Sequence, residues 1–142
     1  MRSVRQLLES KPAEVFATTP DAAVIDAIRL MAEKGIGALL VMDGPNLAGI
    51  VSERDYARKV VLEGKSSKDT LVREIMSAEV STVACDDTCQ HCMAVCTAKR
   101  IRHLPVLEDG RVVGVLSIGD LVKAVIEDQQ VQLEQMERYI AG

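Results

Sequence analysis

Two serine–aspartate pairs are the residues of this chain whose types and spacing best suit the binding of a small ligand. Ser52 and Asp55 lie within residues 49–55 (GIVSERD), and Ser117 and Asp120 lie within residues 114–120 (GVLSIGD). Each segment is typical of a short apolar strand that ends at the serine and leads into a helix. At such a corner a hydroxyl and a carboxylate can hold a small ligand. The same spacing also fits a capping box, in which both side chains bind backbone N–H groups at a helix start.

The two pairs belong to an internal repeat that matches residues 18–60 to residues 83–125 without a gap. The identical pairs are Asp21/Asp86, Lys34/Lys99, Ile36/Ile101, Leu39/Leu104, Val41/Val106, Gly49/Gly114, Ser52/Ser117, Asp55/Asp120 and Val60/Val125. Because a missed repeat leads to a wrong fold, this duplication is the first constraint on the architecture. Two copies of one unit are therefore expected.

Each copy is predicted to run β-α-β-β-α, which makes the fold class α/β. Strands are expected over residues 15–19 and 80–84, over 38–41 and 104–107, and up to each serine. Apolar residues at the helical period predict the first helix of each copy, at Val24, Ala27, Ile28 and Met31 and at Cys89, Cys92, Met93 and Cys96. The second helix is expected to start near Asp55 and Asp120.

The domain boundaries follow from the repeat. We expect repeat 1 over residues 10–62, a polar solvated linker over 63–72, repeat 2 over 73–127 and a C-terminal helix over 128–142. Residues 4–8 are expected to form a short helix that docks on the body. A stripe with spacings of four and three marks the C-terminal region, at Val122, Ile126, Gln129, Leu133, Met136 and Ile140. It indicates either a dimer contact or a helix that lies on the core.

Composition limits the possible partners. The chain has 142 residues, of which 48% are hydrophobic, and its net charge is −4. An acidic chain with three aromatic residues, Phe16, Tyr56 and Tyr139, lacks the basic face that nucleic-acid binding requires. No apolar run is long enough to span a membrane, and no signal peptide is recognisable. We therefore expect a cytoplasmic protein with reduced cysteines.

The duplicated unit resembles a tandem cystathionine-β-synthase-type (CBS) domain pair, or Bateman module, of the stand-alone bacterial type. The resemblance covers roughly residues 10–127. It rests on the Leu39-Leu40-Val41 and Leu104-Pro105-Val106 strands, the two Ser-x-x-Asp corners, and residues 73–77 (REIMS) at the opening of the second copy. No single piece is specific, but the full set occurs twice in register.

The resemblance implies two repeats packed about a pseudo-two-fold axis, with clefts between them for adenosine-containing ligands such as AMP, ADP, ATP, NAD or S-adenosylmethionine. It implies that Asp55 and Asp120 bind ribose hydroxyls and that Ser52 and Ser117 lie near the ribose-phosphate. It further implies that four positions border the adenine: Thr19, Ala84, Ile36 and Ile101.

Basic residues near the corners favour a phosphate-bearing ligand. Arg102 and His103 directly precede the second-copy strand, and Arg54 lies inside the first-copy corner. A guanidinium can hold a phosphate through two hydrogen bonds, and a helix start offers free N–H groups to an anion. Where the second copy has Arg102 and His103, the first has Gly37 and Ala38. The two sites are therefore not expected to bind alike.

The four cysteines offer a competing hypothesis, because Cys85, Cys89, Cys92 and Cys96 with His91 have a spacing that suggests zinc or iron–sulfur binding. On one helix the outer two would lie about 16 Å apart, too far to share one metal. Their first-copy counterparts are apolar, so we interpret them as small buried hydrophobic residues and expect no metal. A redox-sensitive thiol remains an alternative, with Cys85 at the helix start as its candidate.

Together these patterns predict a non-enzymatic sensor that binds an adenosine nucleotide, with AMP, ATP or NAD favoured, and responds by a conformational change. A homodimer and an unidentified downstream protein are the expected partners, without nucleic acid or membrane. The alternatives are a redox- or metal-responsive switch and a small enzyme using Asp55 or Asp120 with His103. No nucleophile–base spacing supports the enzyme.

Overall fold

The computed structural model describes residues 2–11 and 15–141. These residues form two compact units: a central unit of residues 15–80, and a terminal unit that joins residues 2–11 to residues 81–141. The α-helices are α1 (Val4–Glu9), α2 (Val24–Lys34), α3 (Glu53–Tyr56), α4 (Val72–Ile75), α5 (Cys89–Lys99) and α6 (Ile118–Ala141), and a π-helical segment, Ala57–Val61, continues α3. The strands are β1 (Ala17–Thr18), β2 (Ala38–Asp43), β3 (Asn46–Ser52), β4 (Val83–Ala84), β5 (His103–Glu108) and β6 (Arg111–Ser117).

Each unit contains one three-stranded sheet with the same topology. In the central unit β1 runs parallel to β2, and β2 runs antiparallel to β3 with Ala38 opposite Ser52. In the terminal unit β4, β5 and β6 repeat this order, with His103 opposite Ser117. The predicted β-α-β-β-α repeat and α/β class are confirmed. β1 and β4 are shorter than expected, and α3 and α6 begin two residues before Asp55 and Asp120.

The two cores are built from corresponding positions. In the central unit the helix α2 buries Val24, Ala27 and Met31 against the sheet. In the terminal unit α5 buries Cys89, Cys92 and Cys96 in the same way. Burial of a side chain as large as Val24 or Met31 contributes about 1.5–3 kcal/mol, and the smaller buried side chains add to this, so these helix faces fix each helix on its sheet.

The short helices α1 and α4 occupy equivalent places in the two units. The helix α1 precedes the sheet of the terminal unit in the chain, and α4 follows the sheet of the central unit. The N–H of Val4 donates to the carbonyl of Asp87 over 2.8 Å, and Val72 N–H donates to the carbonyl of Ala22 over 2.9 Å. Both valines are fully buried. The helix predicted at residues 4–8 is thus present and docks on the terminal unit. Residues 73–77, expected to open the second copy, lie within the central unit.

The segment over residues 63–72 is not a solvated linker throughout. Thr70 is buried, its hydroxyl donates to the carbonyl of Ser66, and its own carbonyl accepts from Val24 N–H over 2.8 Å. Ser67 Oγ lies 2.9 Å from the phenol oxygen of Tyr56. Polar residues predicted a solvated segment, but their hydrogen bonds fold this one onto the central unit.

The helix α6 runs without a break across the expected boundary at residues 127–128. Its first turns bury Leu121 and Ala124, whereas every residue from Gln129 to Ala141 is exposed. The outer part therefore does not lie on the core, which removes the interpretation of the stripe as the face of a helix packed on the core.

Across the described ranges, no helix combines the length and apolar character that a bilayer crossing requires.

Candidate functional site

The first corner is a closed hydrogen-bonded unit between Ser52 and Asp55. The strand β3 ends at Ser52, whose backbone N–H donates to Asp55 Oδ2 over 2.9 Å. The Ser52 hydroxyl accepts from Asp55 N–H over 3.2 Å and lies 3.0 Å from Asp55 Oδ2. This is the capping box that the spacing indicated, and it fixes both side chains at the start of α3. Lys59 Nζ lies 3.5 Å from the other oxygen, Asp55 Oδ1.

The second corner has the same capping pair and an added cation. Ser117 N–H donates to Asp120 Oδ2 over 2.9 Å, and Asp120 N–H donates to Ser117 Oγ over 3.1 Å. The ammonium group of Lys11 donates to the same Asp120 Oδ2 over 2.8 Å and to the carbonyl of Val115 over 2.8 Å. Lys11 is thus a site residue that the sequence patterns missed, because no local spacing links it to a position so distant in the chain.

The charge of Asp120 is stabilised by these contacts. Partial burial acts to raise the pKa of Asp120, but the hydrogen bonds from Lys11 and Ser117 outweigh it. The pKa of Asp120 therefore lies below its ordinary value, and the carboxylate stays ionised at neutral pH. Its second oxygen, Oδ1, has no hydrogen-bond donor among residues 2–11 and 15–141.

His103 lies close enough to Asp120 for their charges to interact, and Arg102 directly precedes His103 in the chain. Burial lowers the pKa of His103, an effect that Asp120 opposes and that Arg102 and Lys11 reinforce. The imidazole is therefore neutral at pH 7 and can donate or accept a hydrogen bond. Arg102 itself is exposed. The second corner thus combines one carboxylate, the Lys11 cation and a neutral histidine, with the exposed Arg102 next to His103 in the chain.

The helix starts offer fewer free N–H groups than expected. Glu53 N–H donates to the carbonyl of Gly37 over 3.0 Å, and Ile118 N–H donates to the carbonyl of Arg102 over 2.8 Å. With the aspartate N–H groups held by the serines, the first turns are largely satisfied internally. Arg54 is exposed on α3, and its side chain forms no ion pair with the described part of the chain.

The positions expected to border the adenine fall into two groups. Ile36 and Ile101 lie two residues before β2 and β5, at the sheet end that carries the serines, and both are partly buried against their cores. Thr19 and Ala84 are exposed at the opposite sheet end, since Thr18 pairs with Val41 and Ala84 with Leu107. About four strand residues, or roughly 13 Å, separate them from the corner of their own repeat.

The cysteines occupy the core of the terminal unit. All four are buried free thiols, as their apolar counterparts indicated. Burial raises the pKa of each thiol, to about 11 for Cys92. Within residues 2–11 and 15–141, no group of three His, Cys, Asp or Glu side chains is placed to hold a metal ion.

The proposed position of Cys85 at a helix start is wrong. The helix α5 begins at Cys89, with Thr88 as its N-cap, so Cys85 lies outside the helix, three residues before the N-cap, and its thiolate gains no stabilisation from the helix start. Burial raises the pKa of Cys85, with a further contribution from Glu108. A thiol that is protonated and inaccessible is a poor redox sensor.

Two copies of an α/β unit, each with a capped serine–aspartate corner, define this chain as a tandem-repeat module. The profile of the CBS domain matches residues 4–62 and 72–127. The chain belongs to the CBS domain family and carries a tandem pair of these domains, which are regulatory modules.

Known relatives agree with this assignment. The structure of a putative signal-transduction protein with CBS domains from Burkholderia ambifaria MC40-6 is 56% identical, with a TM-score of 0.87, covering 90% of this chain and 96% of that one. The mitochondrial CBS domain-containing protein CBSX3 of Arabidopsis thaliana is 40% identical over 129 residues, which are 87% of this chain. The chain spans 63% of the length of CBSX3.

A third relative has been solved with ligands. The CBS domain pair of protein MJ0100, in complex with 5′-methylthioadenosine and S-adenosyl-L-methionine, is 25% identical, with a TM-score of 0.79. The match covers 90% of this chain and 98% of that one.

Proposed function

We propose that this chain is a non-enzymatic sensor that binds an adenosine-containing nucleotide at its serine–aspartate corners. The observation that carries the proposal is the Asp120 carboxylate, which stays ionised and leaves one oxygen without a donor in the described chain. A free carboxylate oxygen accepts hydrogen bonds from a pair of ribose hydroxyls. The adenosine ligands named for MJ0100, a relative with the same repeat, support the same ligand class.

Within that class the second corner favours a ligand with phosphate groups. Lys11 supplies positive charge in contact with Asp120, Arg102 supplies positive charge near His103, and His103 supplies a neutral hydrogen-bonding group. Phosphate oxygens are strong acceptors for such donors, so AMP, ATP and NAD suit this corner better than S-adenosylmethionine. The first corner has Arg54 and Lys59 but no counterpart of Arg102 and His103, and it should bind more weakly.

The sensor acts by a shift between conformations. A ligand changes the population of a state only if it binds that state more tightly than the alternative. We propose that the chain works as a homodimer in the cytoplasm and transmits the change to a separate protein. No step of this mechanism requires turnover of the nucleotide.

Calorimetric titration with AMP, ATP, NAD and S-adenosylmethionine tests the proposal. We expect binding of at least one phosphate-bearing ligand, and a loss of about tenfold or more in affinity for Asp120→Asn. The single oxygen of asparagine is needed to accept the Ser117 N–H and Lys11 donors, so the amide NH2, which can only donate, would take the place of Oδ1 as the acceptor for the ribose hydroxyls. The asparagine retains an oxygen that can cap the helix, so folding is preserved.

Matched variants make this result specific. Asp26→Asn removes an exposed acid elsewhere and should leave affinity unchanged, whereas Asp55→Asn reports on the first corner. If no ligand binds the parent protein, or if Asp120→Asn binds with the same affinity as the parent, the assignment of Asp120 to the ligand site is contradicted. Release of a product from any of these nucleotides contradicts the non-enzymatic assignment.

A further inference from the structure

The outer half of α6 presents an apolar stripe that the described chain leaves uncovered. The exposed fractions are 59% for Ile126, 54% for Leu133, 60% for Met136 and 80% for Ile140. Monomeric proteins rarely leave a contiguous apolar surface of this kind in water. The stripe is therefore a surface that a partner should cover.

The stripe and the core-facing residues lie on different sides of α6. Leu121 and Ala124 bury their side chains against the terminal unit. Successive residues of an α-helix are turned by about 100°, so the stripe that starts at Val122 lies about a quarter turn from the core-facing side. The helix α6 can therefore pack against the core of its own unit and against a partner helix at the same time.

The spacing of the stripe identifies the partner as another helix. Its members Val122, Ile126, Gln129, Leu133, Met136 and Ile140 alternate by four and three residues, the a and d pattern of a two-stranded coiled coil. A second copy of this chain offers the same stripe. In an antiparallel pair centred on residue 131, Val122 would pack on Ile140, Ile126 on Met136 and Gln129 on Leu133.

The charges that flank the stripe favour the antiparallel orientation. In that register Lys123 faces Glu137 of the other copy, twice per dimer. Lys123 and Glu137 have no ion pair within residues 2–11 and 15–141. In a parallel pair these two charges stay about 21 Å apart along the helices and cannot meet. Antiparallel helices also oppose their macrodipoles, whereas parallel ones align them.

We propose that two copies of this chain associate through an antiparallel coiled coil of their α6 helices, with Lys123 of each copy paired to Glu137 of the other. This assembly specifies the homodimer of the proposed function and does not depend on the ligand site. Ligand titration and dimer dissociation are separate measurements, so either proposal can fail alone.

Sedimentation equilibrium of the full chain tests the assembly. We expect the parent protein to be dimeric and Leu133→Glu to sediment as a monomer, because a carboxylate would be buried in the seam. Val131→Glu is the matched control: Val131 is 51% exposed but lies off the stripe, so this variant should remain a dimer. Unchanged circular dichroism confirms that the exposed substitutions leave the fold intact.

A charge exchange tests the orientation. Lys123→Glu and Glu137→Lys each create two like-charge contacts, and each should weaken the dimer by about 5- to 30-fold, while the double variant should restore the parent affinity. A monomeric parent protein, or a dimer that Leu133→Glu leaves intact, overturns the proposal. Single variants that weaken the dimer without rescue by the double variant overturn the antiparallel pairing.

Discussion

The Lys11 ammonium group lies 2.8 Å from Asp120 Oδ2, a contact between residues 109 positions apart. It joins the chain just after α1 to the second serine–aspartate corner. Both side chains are about one-third exposed. Because Asp120 also caps α6, this single contact connects the N-terminal segment, a helix start and the candidate ligand site.

Replacement of Lys11 by methionine should destabilise the protein modestly. The variant loses the ion pair with Asp120 and the hydrogen bond to the carbonyl of Val115. Solvent screening of a partly exposed pair limits the loss to about 0.5–1 kcal/mol in the free energy of unfolding, measured in urea at neutral pH. Lys68→Met, at an exposed lysine, is the control and should cost less. Equal losses for the two variants would show that the Lys11 contact contributes nothing.

The pKa of Asp120 predicts a loss of stability in acid. Its pKa is lower in the folded protein than in the unfolded chain, so its stabilisation is complete above the ordinary carboxyl pKa of about 4 and disappears as the pH falls through the folded value. Asp120→Asn lacks this titration. The difference in unfolding free energy between the parent and Asp120→Asn should therefore shrink below about pH 4.

Urea unfolding curves of both proteins between about pH 3 and pH 6 measure this difference. Glu134→Gln, an exposed acid on the outer part of α6, provides a variant that should follow the parent curve. A difference between the parent and Asp120→Asn that is constant over the whole range would exclude the stabilising interaction with Lys11 and Ser117.

How far the sequence predicts the structure depends on the range of the interaction. Ser52 and Asp55 are three residues apart, so their capping box follows from local spacing, and the repeat predicts the same corner at Ser117 and Asp120. The helix periods likewise predict that Cys89 and Cys92 are buried. Local patterns of this kind carry most of the fold.

The parts that were missed depend on contacts between distant segments. Lys11 reaches Asp120 only because α1 packs on the terminal unit, and nothing in the neighbouring sequence indicates that placement. Thr70 belongs to a polar segment and is buried because its carbonyl accepts the N–H of Val24. Ligand contacts of Asp55 and Asp120 remain predictions, because capping and ribose binding use the same side chains.

The buried thiols predict a slow reaction with thiol reagents. Cys92 is fully buried and burial raises its pKa to about 11, so at pH 8 the native protein holds almost no thiolate there. We expect a disulfide reagent such as Ellman's to label the cysteines of the folded protein only through unfolding, and those of urea-unfolded protein at once. Rapid labelling of any thiol in the native protein would reopen the redox hypothesis.

The equivalent glycines Gly49 and Gly114 should differ in their tolerance of alanine. A Cβ at Gly49 would lie 2.7 Å from the carbonyl oxygen of Ser77, a backbone atom that the β3 contact holds in place, since Ile50 and Ser77 exchange hydrogen bonds. A Cβ at Gly114 would lie 2.6 Å from Leu8 Cδ2, the end of a side chain that can rotate away. Gly49→Ala should therefore cost about 1–3 kcal/mol, and Gly114→Ala less than about 1 kcal/mol.

A second substitution identifies the cause of each loss. Leu8→Ala removes the side chain that Gly114→Ala would meet, so the double variant should be more stable than the sum of the two single losses predicts. No side-chain truncation can relieve the Ser77 carbonyl, and Gly49→Ala should stay destabilised even with Met76→Ala. Leu8 of α1 covers Gly114, whereas Met76 and Ser77, just after α4, cover Gly49. Rescue at Gly114 without rescue at Gly49 would establish that the first contact adapts by its side chain and the second is held by its backbone. Equal losses at the two glycines in urea unfolding would contradict this difference between the repeats.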